Sequence, residues 1–460
     1  MSSLYKIFLK NIKKNPNTIF IYDLKENFNG AACLKKINFL RKFIRKNKIN
    51  TIGLKYKNSS DWVFWYLAAD SLDKKIIVIK NSTTNKDLNK IKVNYQIDYI
   101  AGQIPKNLKI NLKTIIKNKI KNIRNDILFT SGTLNLPKGV IISEKAYLHV
   151  AKILIQKLKQ RNYHIELLSM PFDHSFGIVR LRCCILAGTK MLITDGLKRF
   201  PEIFKFSQEN KLSGLSLVPS GLALIKLLLK NKVNLFNKNL KYFEIGSSNI
   251  NNEQRLWLKK NFPKTEIIHH YGMTEASRSF LISRGAKDNL KKNTNKIGKI
   301  IPECKYKIDK TNNELLLKGK NLCDGYFDQK NNKYKFIDGW FRTGDIVKKK
   351  KNQLYLVGRV DNQFNIGGNK VQAEMIENIV ESIDHVKKCI CFVRPDEIYG
   401  NSIALKIEKK STVNKKNILK KLEKKMRKLS DYYNPKKIIF EKILLTKNGK
   451  KIRIPQQKFI

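Results

Sequence analysis

Residues Phe129 to Val140 read FTSGTLNLPKGV, which packs three small hydroxyl side chains, two glycines and one lysine into twelve positions. Thr130, Ser131 and Thr133 can donate hydrogen bonds, Gly132 and Gly139 let backbone come close to a ligand, and Lys138 adds a point charge. These are the parts of a cradle for phosphate oxygens. The common cradle G-x-x-x-x-G-K-[ST] is absent, because Pro137 precedes the lysine and Gly139 follows it. Taken alone, the stretch also fits a solvated turn, so context has to decide its meaning. Two further residues need the same care. His174 in PFDHSFG is a lone histidine, a residue more often packed or at the surface than reactive. Lys450 in LLTKNGKKIR stands among many lysines, and only its place directly after a strand-like run sets it apart.

The elements that must position these groups read as follows. Ile127 to Thr130 and Val140 to Ile142 look like strands, with the hydroxyl-rich segment as the loop between them. From about Thr51 to Tyr271, short apolar runs such as KKIIVIK, DILFT, HIELLSM, KMLIT, KYFEIGS and TEIIHHYG alternate with helical patterns. Ala146, Val150, Ile153 and Leu154 recur at helical spacing in one of those patterns. Such alternation predicts βα units and largely parallel sheets. GLSLVPSGLALIKLLL, from Gly214 to Leu229, is broken by Pro219 and Lys226 and reads as a buried strand, a turn and a helix. After roughly Gly285 the runs become short strands separated by turns, as in a small barrel or antiparallel sheet. The tail that begins at GRVDNQ shows a helix, two strands, a lysine-rich helix and a final strand. The expectation is an α/β chain. A large N-terminal domain spans 1–358, with βα-type sheets to about 285 and a small β-barrel-like part over about 286–357. A small mobile α+β domain over 359–460 follows.

Composition narrows the partners. The 460 residues include 93 Lys and Arg against 37 Asp and Glu, a net charge of +56. A clustered basic surface would suggest nucleic acid, but here the lysines run from end to end. Lysine, asparagine and isoleucine are all frequent, and Lys far outnumbers Arg, as in a chain-wide compositional drift that argues against a nucleic-acid partner. The charge leaves room for weak attraction to anionic lipid, a peripheral membrane contact, or to an acidic carrier protein. No run reaches the roughly 18 apolar residues of a membrane span, and the N-terminus lacks the apolar core of a signal peptide, so the expected compartment is the cytoplasm. The seven cysteines show no Cys-x-x-Cys spacing and read as buried, reduced thiols, with Cys389 and Cys391 on one face of a strand.

The loop at 129–140 is similar to the phosphate-binding signature of the adenylate-forming (AMP-binding) superfamily, which includes acyl-CoA synthetases, peptide-synthetase adenylation domains and luciferases. The resemblance continues in family order through PFDHSFG, VPS at 218–220, GSS at 246–248, YGMTEAS, ELLLKGKNLCDGY, GWFRTGD, GRVDNQFNIGGNKVQAEMIE and NGK at 448–450. Each piece is weak, but the ordered set is specific. It implies condensation of a small-molecule carboxylic acid with ATP to an acyl-adenylate and pyrophosphate, then transfer of the acyl group to a thiol. By this resemblance Thr130, Ser131, Gly132, Thr133 and Lys138 hold the β- and γ-phosphates, and Gly246, Ser247 and Ser248 line the adenine pocket. Tyr271 lies against the purine, Thr274 donates to the α-phosphate and Glu275 holds Mg²⁺. Asp345 accepts from the ribose hydroxyls, and Arg359 donates to the ribose from the other side. Lys450 stabilises charge that develops during adenylation. His174 gates the acid. Asp361 is the hinge about which the tail domain rotates between half-reactions, bringing Gly367 and Gly368 to the thiol of coenzyme A or of a phosphopantetheinyl carrier protein.

Asn135 stands where the family usually has a second glycine, and Asn365 where many relatives have lysine. The ranked expectation is an AMP-forming acid:CoA ligase, favoured by His174. A stand-alone adenylation enzyme that loads an amino or hydroxy acid onto a carrier is the alternative, because Asp173 superficially resembles that branch's ammonium-binding aspartate. A basic binding protein on a degenerate scaffold fits the nearly complete motif set poorly.

Overall fold

The computed structural model describes residues 3–102, 104, 125–130, 138–247, 249–250, 252–284, 295–366, 369–396, 400–410, 414–427, 429, 433–445 and 451–452. Ser131, Gly132, Thr133, Ser248, Gly367, Gly368 and Lys450 lie outside them. The chain divides into two compact units, residues 1–306 with 317–341, and 307–316 with 342–460. Residues 307–316 and 342–358, placed by the sequence in the large domain, thus group with the second unit.

The first unit holds two sheets. The nine-stranded one runs in the order Lys299–Ile300, Phe280–Arg284, Glu266–Tyr271, Tyr242–Ile245, Gly214–Leu217, Ile165–Leu168, Lys190–Ile193, Ile19–Asp23, Asn27–Asn29. Its six central strands are parallel, so their carboxyl ends share one edge. The six-stranded sheet contains Thr51–Leu54, Lys75–Val78 and Asn125–Thr130 as parallel neighbours. Asn125–Thr130 then turns back antiparallel on Lys138–Ser143, with Thr130 opposite Lys138. Gly325–Tyr326 adds to the far side of that hairpin.

Local chemistry sets the helices that cover these sheets. Ser143 caps Glu144–Lys157 by accepting from the Ala146 N–H, and Ala146, Val150, Ile153 and Leu154 are buried as their spacing requires. Helix Ser175–Ala187 ends at Gly188 in the left-handed conformation. It is apolar nearly all round and packs between layers, yet carries Arg180 and Arg182 into the interior. Arg182 is satisfied there by Glu144 at 2.6 Å, the Tyr66 hydroxyl and Asp126 at 3.4 Å. Burial pushes the Asp126 carboxyl up to about 6, against the pull of Arg182 and of the Tyr66 hydroxyl.

Strands Trp340–Lys350, which lies in the second unit from Arg342 on, and Gln353–Arg359 pair antiparallel, with Asp345 opposite Arg359. Beyond them lie helix Ala373–Glu381, strands Val386–Asp396 and Gly400–Lys409, helix Lys415–Met426 and strand Pro435–Phe440, the order expected of the tail. Val371, Ile376, Val380, Cys389, Cys391, Leu405, Ile418 and Leu422 belong to one core cluster of this unit.

All seven cysteines are free, six of them buried and Cys304 half-buried. Burial pushes the thiols of Cys33 and Cys183 up to about 12 and raises those of Cys184, Cys304, Cys323 and Cys389 as well.

Candidate active site

The shared carboxyl edge of the nine-stranded sheet gathers four of the motifs. Strand Ile165–Leu168 leads into PFDHSFG, Gly214–Leu217 into VPS, Tyr242–Ile245 into GSS and Glu266–Tyr271 into YGMTEAS. Because these strands are parallel neighbours, turns separated by up to about a hundred residues in sequence come side by side. In open α/β sheets this crevice is where ligands bind.

Each turn is shaped by close packing. A Cβ on Gly246 would lie 2.0 Å from the His270 ring, so no larger residue fits there without displacing His270. Ser247 follows in the left-handed region with φ 77°, a conformation costly for a side-chain-bearing residue. Gly272 permits the backbone to pass Arg278, since a Cβ would sit 2.4 Å from the Arg278 nitrogen. Tyr271 meets Phe280 edge-on at 5.9 Å, which orients its ring. Glu275 is half-buried and accepts from the Tyr326 hydroxyl at 2.8 Å, while its carbonyl accepts from the Cys323 N–H at 2.8 Å. Strand Gly325–Tyr326 pairs with Val140 and Ile141, so Tyr326 couples Glu275 to the hairpin that carries Thr130 and Lys138.

Gly139 has a different use from the one its place in the loop suggests. The Tyr95 ring fills its side-chain position, with the hydroxyl 2.5 Å from where a Cβ would be. This glycine admits a tyrosine, and does not leave room for a ligand.

His174 precedes helix Ser175–Ala187 and is half-buried, its Nε2 3.6 Å from Asp173 Oδ1. Asp173 Oδ2 accepts from the Asn81 N–H at 3.2 Å.

A layer of charge beneath the edge was not singled out from the sequence. Glu244, fully buried in its strand, is held by Arg278 at 3.1 Å, His270 at 2.7 Å and Arg180 at 3.4 Å. Burial opposes its ionisation, but Arg278, His270 and Arg180 overrule it and keep the carboxyl well below the usual carboxylate range. His270 is shifted down by burial, against the pull of Glu244. Glu166 takes Arg180 at 2.7 Å and the Tyr242 hydroxyl at 2.8 Å. Arg278 also donates to the carbonyls of Ser175 and Phe176 at 3.0 Å. It thereby ties the first turn after His174 to the strand under GSS.

In the second unit Asp345 and Arg359 contact each other directly, Nη1 to Oδ1 at 2.7 Å. The family resemblance implies that they approach a ribose from opposite sides. Asp345 is nearly buried and its N–H donates to the Thr343 hydroxyl, whereas Arg359 is half-exposed and also reaches Asp361 at 3.5 Å. Asp361 lies exposed in the single turn Val360–Asn362.

Among the described residues no group of three His, Cys, Asp or Glu side chains forms a metal cage. One half-buried carboxylate, Glu275, beside the hydroxyl-bearing Thr274, fits Mg²⁺ only in its usual form, shared with substrate phosphates.

This fold, with these motifs at this edge, is similar to that of the adenylate-forming enzymes. The profile of the AMP-binding enzyme family matches residues 124–327. A 2-succinylbenzoate–CoA ligase of Haemophilus influenzae is 27% identical over 374 residues, covering 79% of this chain and 76% of that protein. The same fold is found in o-succinylbenzoate CoA synthetase from Bacillus subtilis, solved with its acyl-adenylate intermediate. It has a TM-score of 0.81 at 17% identity over 98% of this chain and 96% of that one. ATP-bound MatB from Rhodopseudomonas palustris gives 0.80 at 16% identity, covering 97% of both chains.

Proposed function

We propose that this protein is an AMP-forming acid:CoA ligase, which activates a carboxylic acid with Mg·ATP as acyl-adenylate, releases pyrophosphate and transfers the acyl group to coenzyme A. The observation that carries the reading is the convergence of PFDHSFG, VPS, GSS and YGMTEAS on one sheet edge, with Glu275 linked through Tyr326 to the Thr130–Lys138 hairpin. Lys138 and the hydroxyl-rich loop hold the β- and γ-phosphates, Thr274 donates to the α-phosphate, and Glu275 holds the metal. Gly246 and Ser247 border the adenine, against which Tyr271 lies. Asp345 accepts from the ribose hydroxyls, and Arg359 joins it. Lys450 stabilises the charge that develops as the carboxylate attacks. His174 stands where the acid enters.

The carrier-loading alternative needs Asp173 to meet a substrate ammonium. Its engagement by the Asn81 N–H and its closeness to His174 favour the CoA-ligase branch. The acidic-carrier partner rests on surface charge alone. The Haemophilus influenzae relative acts on 2-succinylbenzoate, so aromatic and dicarboxylic acids come first among substrates.

Acid-dependent pyrophosphate exchange over a panel of aromatic, dicarboxylic, fatty and amino acids tests the reaction, followed by thioester assays with coenzyme A and with a phosphopantetheinyl carrier. No exchange with any acid would overturn the reading, and transfer to the carrier alone would replace it with the alternative. Lys450→Ala should fail in adenylate formation yet convert supplied acyl-adenylate to thioester. Asp361→Pro, by fixing φ at the hinge, should do the reverse. Equal loss of both half-reactions in the two variants would sink the alternating use of the second unit.

A further inference from the structure

Helix Pro219–Leu229 has two apolar faces. Leu222, Ile225 and Leu229 are buried against the sheet. Leu224, Leu227 and Leu228, at spacing i, i+3 and i+4, point the other way and are 41%, 67% and 41% exposed. The neighbouring helices Val233–Asn237 and Asn252–Asn261 share the same underlying core, through Val233, Phe236 and Leu258, and add Leu235 and Leu256, each 52% exposed. Contacts from Lys226 to Glu253 at 2.6 Å and from Gln254 to the Pro219 carbonyl at 2.7 Å hold the outer helix pair together. Five outward leucines on three packed helices contrast with a surface that elsewhere favours lysine and asparagine, so compositional drift does not account for them.

The rim is cationic. Lys230, Lys232, Lys238, Lys259 and Lys260 are exposed on or beside these helices, and the carboxylate of Glu253 is matched by Lys226. An apolar face ringed by lysines is the pattern of a helix lying in a membrane interface, with side-chain carbons among acyl chains and ammonium groups at headgroup level. A second copy of the chain is a poorer occupant, because a self-complementary contact would bring the two lysine rims together without carboxylates to offset them. No helix among the described residues is long and apolar enough to cross a membrane, so attachment at this face would be from one side.

We propose that the outward face of Leu224, Leu227, Leu228, Leu235 and Leu256 docks the protein on the surface of a bilayer that contains anionic lipid. Helix Pro219–Leu229 begins at the VPS turn on the site edge, and its outward leucines lie about 8–14 Å further along the axis. Docking there places the edge near a source of amphiphilic acids. The binding itself does not depend on which acid is used.

The full-length protein is floated with vesicles of phosphatidylcholine containing about one-third phosphatidylglycerol, in roughly 0.3 M salt so that diffuse attraction of the whole cationic surface is screened. Wild type should float with these vesicles and not with pure phosphatidylcholine. A triple variant, Leu224→Ser with Leu227→Ser and Leu228→Ser, should keep its thermal melt and lose at least about tenfold in partitioning. Removing a rim lysine, Lys230→Gln, should cost roughly fivefold. In Leu227→Trp, the added tryptophan's emission should move to the blue with anionic vesicles. Three results would each overturn the proposal: equal flotation of wild type and triple variant, no flotation of wild type, or a solution dimer that the triple variant dissociates while vesicles bind neither protein.

Discussion

Glu244 and Glu275 belong to neighbouring parallel strands and the turns that leave them, and their surroundings are opposite. Glu244 is fully buried under three cationic or hydrogen-bearing partners, Arg278, His270 and Arg180. Glu275 lies half-buried beyond its strand end and meets the Tyr326 hydroxyl. A carboxylate whose charge is already matched from several sides has little left to offer a ligand. One that keeps a water-accessible side can still take a metal or a phosphate-bound cation. On the function proposed above, the same side-chain chemistry is divided between support and reaction by depth and by partners.

That division can be broken from the support side first. Arg278→Met leaves Glu244 buried with a main counter-charge gone and should cost roughly 3–5 kcal/mol of stability, read by urea denaturation. Activity per folded molecule should fall far less than in Glu275→Ala, since Arg278 holds the turn after His174 from below. Glu275→Ala is the counterpart. It should lower pyrophosphate exchange by about 10²–10³-fold with a near-normal denaturation midpoint. If Glu275→Ala unfolds the protein while Arg278→Met spares it, the assignment of roles is inverted.

Asp126 sharpens the comparison, because it is a buried acid whose burial wins. Its carboxyl sits at about 6, raised from an ordinary value of 3.8. A raised carboxyl contributes stability that is fully present below pH 3.8 and is lost as pH climbs through about 6, a difference on the order of 3 kcal/mol. Asp126→Asn should flatten that part of the stability profile. Glu244 has the opposite sign, since its contribution is present above its ordinary value and fades only in strong acid. An unchanged profile for Asp126→Asn would mean that Arg182 and the Tyr66 hydroxyl offset burial and leave the Asp126 carboxyl at its ordinary value. The smallest effect belongs to Tyr326→Phe, which removes the hydroxyl that donates to Glu275. It should cost about 1 kcal/mol, a roughly fivefold loss in exchange that more Mg²⁺ partly restores.

The same contrast governs what the residue string disclosed. Motif residues sit in turns after strand ends, where apolar runs stop and small or polar residues begin, so YGMTEAS and GSS stood out. Glu166 and Glu244 are inside HIELLSM and KYFEIGS, and an acid flanked on both sides by apolar residues was their visible signal. Their partners were not visible, because Arg180 and Arg278 come from elements 14 and 34 residues away that only packing brings close. Gly139 misled for a related reason, since the ring that fills its side-chain space comes from Tyr95, far back in the chain. GLSLVPSGLALIKLLL split where Pro219 starts its helix, but which leucines face outward depends on the sheet beneath.

The burial of the thiols has a consequence for chemoselectivity. An acyl-adenylate is a strong acylating agent, and the reaction proposed here generates one before the accepting thiol attacks. A cysteine of the protein with appreciable thiolate would compete for that acyl group and end the enzyme's working life by modifying itself. Cys33, Cys183, Cys184, Cys304, Cys323 and Cys389 all have their ionisation pushed upward by burial, so at neutral pH they are thiols and poor nucleophiles. The interior that packs these sulfurs as small apolar groups therefore also leaves the incoming thiol as the better nucleophile.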